Sequence, residues 1–169
     1  MHSGTLTVHS DGEGRGSCFT VRLPAPRLLQ QEAAGGIRDD GAELAGLRIM
    51  VIDDNHDAAE AMSMLVAAMG AIVEVAYDGP SGLAALTTFR PDVLLLDIGM
   101  PVMDGYETCR RVRELVGNDV GVVALSGWGQ EQDKQSAAHA GFDAHLTKPA
   151  NPVKLKELIH GLNNRLKAR

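Results

Sequence analysis

Polar side chains follow four apolar segments of this sequence, and their types suit phosphoryl chemistry. They are Asp53-Asp54, Asp97, Ser126 and Lys148, and they come after the runs Ile49–Ile52, Val93–Leu96, Val120–Leu125 and Ala144–Thr147. If these runs are parallel strands of an α/β sheet, their carboxyl ends form the ligand-binding edge of that sheet. Three carboxylates, one hydroxyl and one ammonium would then converge there. We expect this set to hold a divalent cation and a phosphoryl group.

Carboxylates gathered at one edge raise one another's pKa unless a cation lies between them. Mg²⁺ suits such a cluster because it prefers carboxylate oxygens and readily shares phosphate oxygens. A carboxylate held beside the metal is a nucleophile for phosphorus, and its attack gives an acyl phosphate. The Lys148 ammonium would neutralise charge during this transfer, and the Ser126 hydroxyl would bind a phosphoryl oxygen.

Each of these features taken alone also has a purely structural explanation. Asp53-Asp54-Asn55 is typical of a helix N-cap, Asp97 is typical of a turn, and Ser126-Gly127 is an ordinary start to a loop. The occurrence of all of them at successive strand ends of one predicted sheet favours a functional site.

Composition and charge limit the function classes. The chain has 169 residues, of which 44% are apolar and 22% charged, and its net charge is −6, which fits one globular domain with an appendage. Nucleic-acid binding needs clustered Lys and Arg, so the negative net charge argues against it. No apolar run approaches the roughly 20 residues that span a bilayer, so we expect no membrane contact by this segment. Met1–Ser10 lacks the pattern of a signal peptide. Cys18 and Cys109 are isolated, without disulfide or zinc-site spacing, which predicts a cytoplasmic location.

From Leu47 onward the pattern alternates between strands and helices. This alternation predicts an α/β fold with a doubly wound, five-stranded parallel sheet. The second strand alternates in polarity and the fifth is short, so both belong at edges, in the order 2-1-3-4-5. The predicted strands are Leu47–Ile52, Ile72–Ala76, Val93–Leu96, Val120–Leu125 and Asp143–Leu146, and the predicted helices are Asn55–Met69, Gly79–Phe89, Asp104–Val116, Gln130–Ala140 and Val153–Leu166.

The first 46 residues have a different pattern. Thr5–His9 and Ser17–Leu23 predict a β-hairpin joined by a glycine-rich turn. Arg27–Gly46 is rich in Ala, Gly and charge, and we interpret it as a linker with a helix over Leu28–Ala34. Three segments are therefore expected: the hairpin in 1–26, the linker in 27–46 and the α/β unit in 47–169.

Residues 47–169 resemble the receiver domain of bacterial two-component response regulators, which has a flavodoxin-like fold. The matching stretches are Ile49–Asn55, Leu94–Gly105, Ala124–Gly127 and Leu146–Pro149. The resemblance implies that Asp97 is the phosphoacceptor and that Mg²⁺ is the cofactor. It also implies a cis peptide bond between Lys148 and Pro149. By position, the remaining implied roles are Mg²⁺ binding by Asp53, Asp54, Asp97 and the Gly99 carbonyl, the switch hydroxyl at Ser126, and phosphate pairing by Lys148.

Three positions invite hypotheses about regulation. The family usually carries Tyr or Phe three residues before the lysine, and here that residue is His145. We interpret His145 as a switch residue whose polar, titratable ring makes signalling altered or pH-sensitive. Gly99 and Trp128 stand where the family tunes phosphate hydrolysis. Gly99 has no side chain to orient water and the Trp128 indole would shield the phosphoryl group, so we expect slow autodephosphorylation.

The N-terminal segment resembles the last hairpin of a histidine-kinase ATPase domain. The resemblance covers His2–Val8 and Gly12–Pro24. Its glycines connect two strands, whereas a phosphate-binding loop should connect a strand to a helix N-terminus. We therefore expect no ATP binding and no autonomous kinase activity, and we interpret the chain as the tail of a hybrid sensor histidine kinase.

The expected function is that of a phosphoacceptor module in a phosphorelay, which catalyses its own phosphorylation and dephosphorylation. Its expected partner is a histidine kinase or a histidine phosphotransfer domain, and the exposed hairpin edge allows a homodimer. One alternative is an adaptor with a vestigial site that works without phosphorylation. A haloacid-dehalogenase-like phosphatase is disfavoured, because it would need a second acid at the position of Gly99. A flavodoxin-like cofactor site is disfavoured too, because Asp53 and Asp54 would repel the phosphate of the cofactor.

Overall fold

The computed structural model describes residues 5–12, 14–22, 43–127, 137 and 139–168. Its contacts divide the chain into two compact units, one that includes the N-terminal hairpin and one that includes everything from residue 43 on. Of the predicted helix Gln130–Ala140, only Ala137, His139 and Ala140 are described, and they are helical. The predicted helix Leu28–Ala34 and the predicted tuning residue Trp128 lie outside the described residues.

The N-terminal unit is a two-stranded antiparallel hairpin, as predicted. Strand β1 (Thr5–His9) pairs with β2 (Cys18–Arg22). Cross-strand neighbours share a face of a sheet, and the apolar pairs Leu6–Val21 and Val8–Phe19 form one apolar face of this hairpin. All four side chains are exposed.

The second unit is built on a parallel sheet of five strands. The order is β4-β3-β5-β6-β7, and every neighbouring pair is parallel. Counted within this unit, the order is the predicted 2-1-3-4-5, so the predicted fold class is confirmed. The strands are β3 (Arg48–Ile52), β4 (Ile72–Ala76), β5 (Val93–Asp97), β6 (Gly121–Ser126) and β7 (Ala144–Thr147).

In the described part of the second unit, four helices besides the one that includes Ala137 cover the sheet, and their first residues follow from capping. They are α1 (His56–Ala68), α2 (Gly79–Phe89), α3 (Gly105–Val116) and α4 (Pro152–Lys167). Asn55 and Asp104, predicted as helical, instead have extended backbones and accept N–H groups of the first turn as N-caps. Helix α4 begins one residue earlier than predicted because Pro152 fits the first turn.

Two apolar cores lie on the two faces of the sheet. Strands β3, β5 and β6 are buried almost throughout, as expected of central parallel strands. One core includes Met50, Ile52, Leu94, Leu96 and Cys109, and the other includes Ile49, Val51, Leu95, Leu155 and Ile159. The central strands are therefore fixed from both sides, which gives their carboxyl ends a rigid base.

The second unit includes residues that the sequence assigned to the linker. Residues 43–46 form a turn, and the side chain of Leu44 is fully buried in the second core. Its N–H donates to the Met69 carbonyl at 2.8 Å. An ion pair of 2.8 Å between Glu43 and Lys156 joins the same turn to α4.

Candidate metal and phosphoryl site

The three predicted carboxylates lie together at the carboxyl edge of the sheet. Each of Asp53, Asp54 and Asp97 offers an oxygen within 4.8 Å of the others. The strand register explains this. Ile52 of β3 pairs with Leu96 of β5, and the residue that follows each of them is an aspartate. Asp53 and Asp97 are buried, at 2% and 7% exposure, whereas Asp54 is exposed. The cluster is thus anchored in protein and open to solvent on one side.

Lys148 joins two of these carboxylates. Its Nζ lies 2.5 Å from Oδ2 of Asp53 and 2.7 Å from Oδ1 of Asp97. The backbone places it there, because the Lys148 N–H donates to the Ser126 carbonyl at 2.7 Å at the end of β6. The peptide bond between Lys148 and Pro149 is cis, as the resemblance implied. The ammonium of Lys148 therefore lies within the acidic cluster, as predicted.

The electrostatics of the cluster shift two pKa values upward. Burial raises the pKa of Asp97, the ammonium of Lys148 opposes that rise, and the charges of Asp53 and Asp54 add to it, with a net increase. Burial alone would lower the pKa of Lys148, but its hydrogen bonds and charge interactions with Asp53 and Asp97 outweigh this effect. Lys148 therefore stays an ammonium, while ionised Asp97 is held at an energetic cost.

The acidic side chains are held by backbone N–H groups as well. Oδ1 of Asp53 accepts from the Asn55 N–H at 3.1 Å, and the Asn55 side chain caps α1 by accepting from Ala58 N–H at 3.0 Å. Oδ2 of Asp97 accepts from the Gly99 N–H at 3.1 Å. Gly99 thus contacts Asp97 through its amide, and the metal-binding role of its carbonyl stays a prediction.

Gly105 is a position whose importance sequence reasoning missed. A Cβ atom there would lie 2.3 Å from the carbonyl oxygen of Asp97 and 2.7 Å from Cα of Ile98. Helix α3 therefore starts directly against the backbone at the end of β5, which only glycine permits. The available signal was a glycine inside the predicted helix Asp104–Val116, because glycine disfavours helix and permits close backbone contacts.

Ser126 is buried at the end of β6, and His145 contacts it directly. Ser126 Oγ lies 2.6 Å from Nε2 of His145. The two side chains share a sheet face, because His145 is the register partner of Ala124, two residues before Ser126. The sequence indicated both residues separately but not their hydrogen bond, which depends on the pairing of β6 with β7.

The donor set fits Mg²⁺. Three carboxylates face one ammonium, so the cluster retains excess negative charge, and two of the carboxylates are buried. Hard oxygen ligands of this kind are those that Mg²⁺ prefers. Asp53, Asp54 and Asp97 are the residues that would hold it.

A groove adjoins the cluster. It has a volume of about 510 Å³ and lies between α1 and the start of the loop after β7. Its lining is mostly apolar: Ala58, Ala61, Met62 and Leu65 with Pro149 and Ala150, next to Asp53 and Lys148. A second hollow of about 490 Å³ is lined by Arg90, Asp92 and Asp119, and none of the predicted site residues lines it.

Known proteins are similar to most of this chain. Residues 49–160 match a family model described as the response regulator receiver domain. The chain is 38% identical over 117 residues to an uncharacterised 14.6 kDa protein of Leptolyngbya boryana, covering 69% of this chain and 89% of that protein. It is 31% identical over 181 aligned positions to Probable histidine kinase 2 of Oryza sativa subsp. indica, covering 95% of this chain but 16% of the relative.

Solved structures show the same fold. The chemotaxis protein CheY4 of Vibrio cholerae superimposes with a TM-score of 0.65 at 28% identity, over 69% of this chain and 98% of that one. Among the residues that the structure describes, no helix combines the length and apolar character needed to cross a membrane.

Proposed function

Because this chain belongs to the response regulator receiver domain family of two-component signalling, we propose that it accepts a phosphoryl group on Asp97. Receiver domains bind Mg²⁺ and interact with histidine kinases or phosphotransfer partners. The observation that carries the proposal is the joint position of Asp97, Asp53 and Asp54 within 4.8 Å, with Lys148 bonded to two of them. An acidic cluster with an internal ammonium is suited to hold a metal and a phosphoryl group together.

The chemistry follows from these contacts. A carboxylate oxygen of Asp97 attacks phosphorus, and the bond from phosphorus to the donor's histidine nitrogen breaks. The electron pair of that bond stays on the imidazole, and an acyl phosphate forms on Asp97. Lys148 offsets the charge that the new phosphoryl group brings, and the Ser126 hydroxyl donates to a phosphoryl oxygen. Mg²⁺, when bound, neutralises further negative charge on the phosphoryl oxygens.

Labelling with acetyl phosphate tests this proposal without a partner protein. We expect Mg²⁺-dependent labelling of the wild-type chain, which EDTA abolishes, and none in Asp97→Asn. Asp57→Asn is the matched control, because Asp57 is an exposed aspartate in the first turn of α1. Equal labelling of wild type and Asp97→Asn would refute the assignment. An unlabelled wild type would favour the alternative, an adaptor with a vestigial site.

The groove beside the cluster is the proposed docking site for the phosphodonor. Its apolar wall on α1 includes Met62 and Leu65, and it ends at Asp53 and Lys148. A helix packed in this groove would bring a phosphohistidine to the acidic cluster. The proposed occupant is therefore a helix of a histidine kinase or phosphotransfer domain that carries this histidine.

Variants at two methionines of α1 distinguish docking of the phosphodonor from the phosphoryl transfer itself. Met62 lines the groove, whereas Met64 is 66% exposed and does not. With a histidine phosphotransfer domain that labels the wild type, we expect Met62→Glu to slow transfer at least about tenfold, since burying a charge in an apolar contact is costly. Met64→Glu should transfer normally, and acetyl phosphate should label both variants equally. Equal loss in both variants would refute docking in this groove.

We also propose the domain division expected from the sequence. In it, residues 1–26 are a piece of a histidine-kinase ATPase domain. Two observations support this: the aligned rice histidine kinase covers 95% of the chain, and the hairpin exposes the apolar face that includes Leu6 and Phe19. An apolar hairpin face of this kind needs a partner layer. We expect the chain to bind a hydrophobic dye, and the double variant Leu6→Ser/Phe19→Ser to bind less of it while its labelling is unchanged. Unchanged dye binding would show that the face is covered.

A further inference from the structure

Tyr77, which directly follows β4, contacts the first turn of α1 at two points. Its ring stacks on the ring of His56, with 3.9 Å between the ring centroids and an angle of 2° between the planes. Its hydroxyl donates to Oε1 of Glu60 at 2.6 Å. His56 is the first residue of α1, and Glu60 lies one helical turn further on. Two contacts one turn apart therefore join the end of β4 to the start of α1.

Asp54 is the member of the acidic cluster that depends most on this support. Asp53 and Asp97 are buried, and each of them bonds to Lys148. Asp54 is exposed, and within the described part of the chain no hydrogen bond holds its side chain. Its position therefore follows from the backbone between β3 and α1. Because Asp54 lies only two residues before His56, a contact that fixes the start of α1 also fixes this carboxylate.

We propose that Tyr77 is a positioning residue for the metal site, and that its stack on His56 holds Asp54 in the arrangement that binds Mg²⁺. This inference rests on the proposed phosphoacceptor function and adds to it a residue from the end of a further strand. A ligand that is already in place loses little conformational freedom when it binds. Without the stack, Mg²⁺ binding would also have to order the segment between β3 and α1, and the affinity for the metal would fall.

An NMR titration of the metal-free chain with MgCl₂ measures the dissociation constant that tests this inference. Tyr77→Leu keeps an apolar side chain against the second core, where Tyr77 packs, but has no ring to stack. We expect it to bind Mg²⁺ about three- to tenfold more weakly, the equivalent of one aromatic pair. Tyr77→Phe keeps the ring and should bind nearly as tightly as the wild type. His56→Ala should lose as much affinity as Tyr77→Leu, and the double variant should lose no more, because both changes remove the same contact.

A control for general destabilisation completes the test. Arg113→Ala removes hydrogen bonds to Gly141 and Val120, which lie outside the acidic cluster, and it should bind Mg²⁺ as the wild type does. His56→Ala changes an exposed side chain, so it decides the question if Tyr77→Leu fails to fold. Unchanged affinity in the variants that lack the stack, or an equal loss in Tyr77→Phe or Arg113→Ala, would overturn this inference alone. A folded wild type that binds no Mg²⁺ would overturn the proposed function itself.

Discussion

The ammonium of Lys148 lies 2.7 Å from Oδ1 of Asp97, although the two residues are 51 positions apart in the sequence. Asp97 ends β5 and Lys148 follows β7, with β6 between them. The lysine side chain therefore crosses the end of a whole strand to reach the carboxylate. Through this contact and its second bond, to Asp53, Lys148 couples the charges at the ends of β3, β5 and β7.

Replacing Asp97 by a neutral residue should stabilise the fold at neutral pH. Folding raises the pKa of Asp97, mainly through burial, so the folded state favours the protonated acid. The contribution of Asp97 to stability is thus present below its unfolded pKa and lost as the pH rises through its folded pKa. Asp97→Asn, which is neutral, should raise the unfolding midpoint by about 2–6 °C at pH 7 in EDTA.

The same variant also gives a pH dependence. The difference in midpoint between Asp97→Asn and the wild type should shrink toward acidic pH, where Asp97 is protonated in both states. Added Mg²⁺ should also reduce the difference, by stabilising the wild-type cluster. A less stable Asp97→Asn at pH 7 would show that the bond to Lys148 outweighs burial.

Gly105→Ala should disrupt the site by displacing the backbone next to Asp97. The new Cβ would lie 2.3 Å from the Asp97 carbonyl oxygen, so α3 and the end of β5 would have to separate. We expect a loss of about 2 kcal/mol or more in unfolding free energy, and weaker labelling by acetyl phosphate. The matched control is Gly161→Ala in α4, where an added methyl has open space. It should stabilise by about 0.5–1 kcal/mol, and an equal loss in both variants would contradict the argument.

Arg113 stabilises the opposite end of the sheet. Its guanidinium donates to the carbonyls of Gly141, Gly117 and Val120 at 2.8, 3.0 and 2.7 Å, and to Oδ2 of Asp143 at 2.6 Å. The side chain is only 15% exposed, and its bonds to the carbonyls of Gly141 and Val120 are partly buried, so its removal leaves these two carbonyls without a partner where water is scarce. We expect Arg113→Ala to cost about 2–4 kcal/mol in chemical denaturation.

Arg110 is the matched control on the same helix. It pairs with Glu107 at 2.9 Å but is 52% exposed, and exposed pairs contribute little. Arg110→Ala should therefore change stability by less than about 0.5 kcal/mol. Similar losses in the two alanine variants would mean that the hydrogen bonds of Arg113 are not the cause.

The two cysteines should differ sharply in reactivity. Burial raises the pKa of the Cys109 thiol to about 11, whereas Cys18 is exposed on the hairpin. Because the thiolate is the reactive form, a maleimide at pH 7.5 should modify Cys18 quickly and leave Cys109 intact until denaturant is added. Mass analysis of the modified peptides checks this, and rapid native labelling of Cys109 would show that its core opens readily.

The sequence predicted the sheet and the acidic cluster because both follow from local patterns. Apolar runs define β3, β5 and β6, and an aspartate directly after a run lies at its carboxyl end. The predicted helices begin one residue early, because Asn55 and Asp104 are N-caps with extended backbones, and residue type alone does not separate a cap from the first helical residue.

Contacts that depend on the assembled fold were not predictable in the same way. The bond between Ser126 and His145 needs the register of β6 against β7. The groove beside the acidic cluster needs α1 to lie beside the Pro149 loop. The four hydrogen bonds of Arg113 join α3 to the segments on both sides of β6, and nothing in the spacing of Arg113 distinguishes it from its exposed neighbour Arg110.

Trapping the acyl phosphate tests the central claim most directly. The wild-type chain is treated with acetyl phosphate and Mg²⁺, then with hydroxylamine, which converts an acyl phosphate into a hydroxamate, and the modified residue is located by peptide mass spectrometry. The account predicts a hydroxamate on Asp97 that requires both acetyl phosphate and Mg²⁺. A hydroxamate on another acidic residue, or none at all on a folded chain, would contradict it.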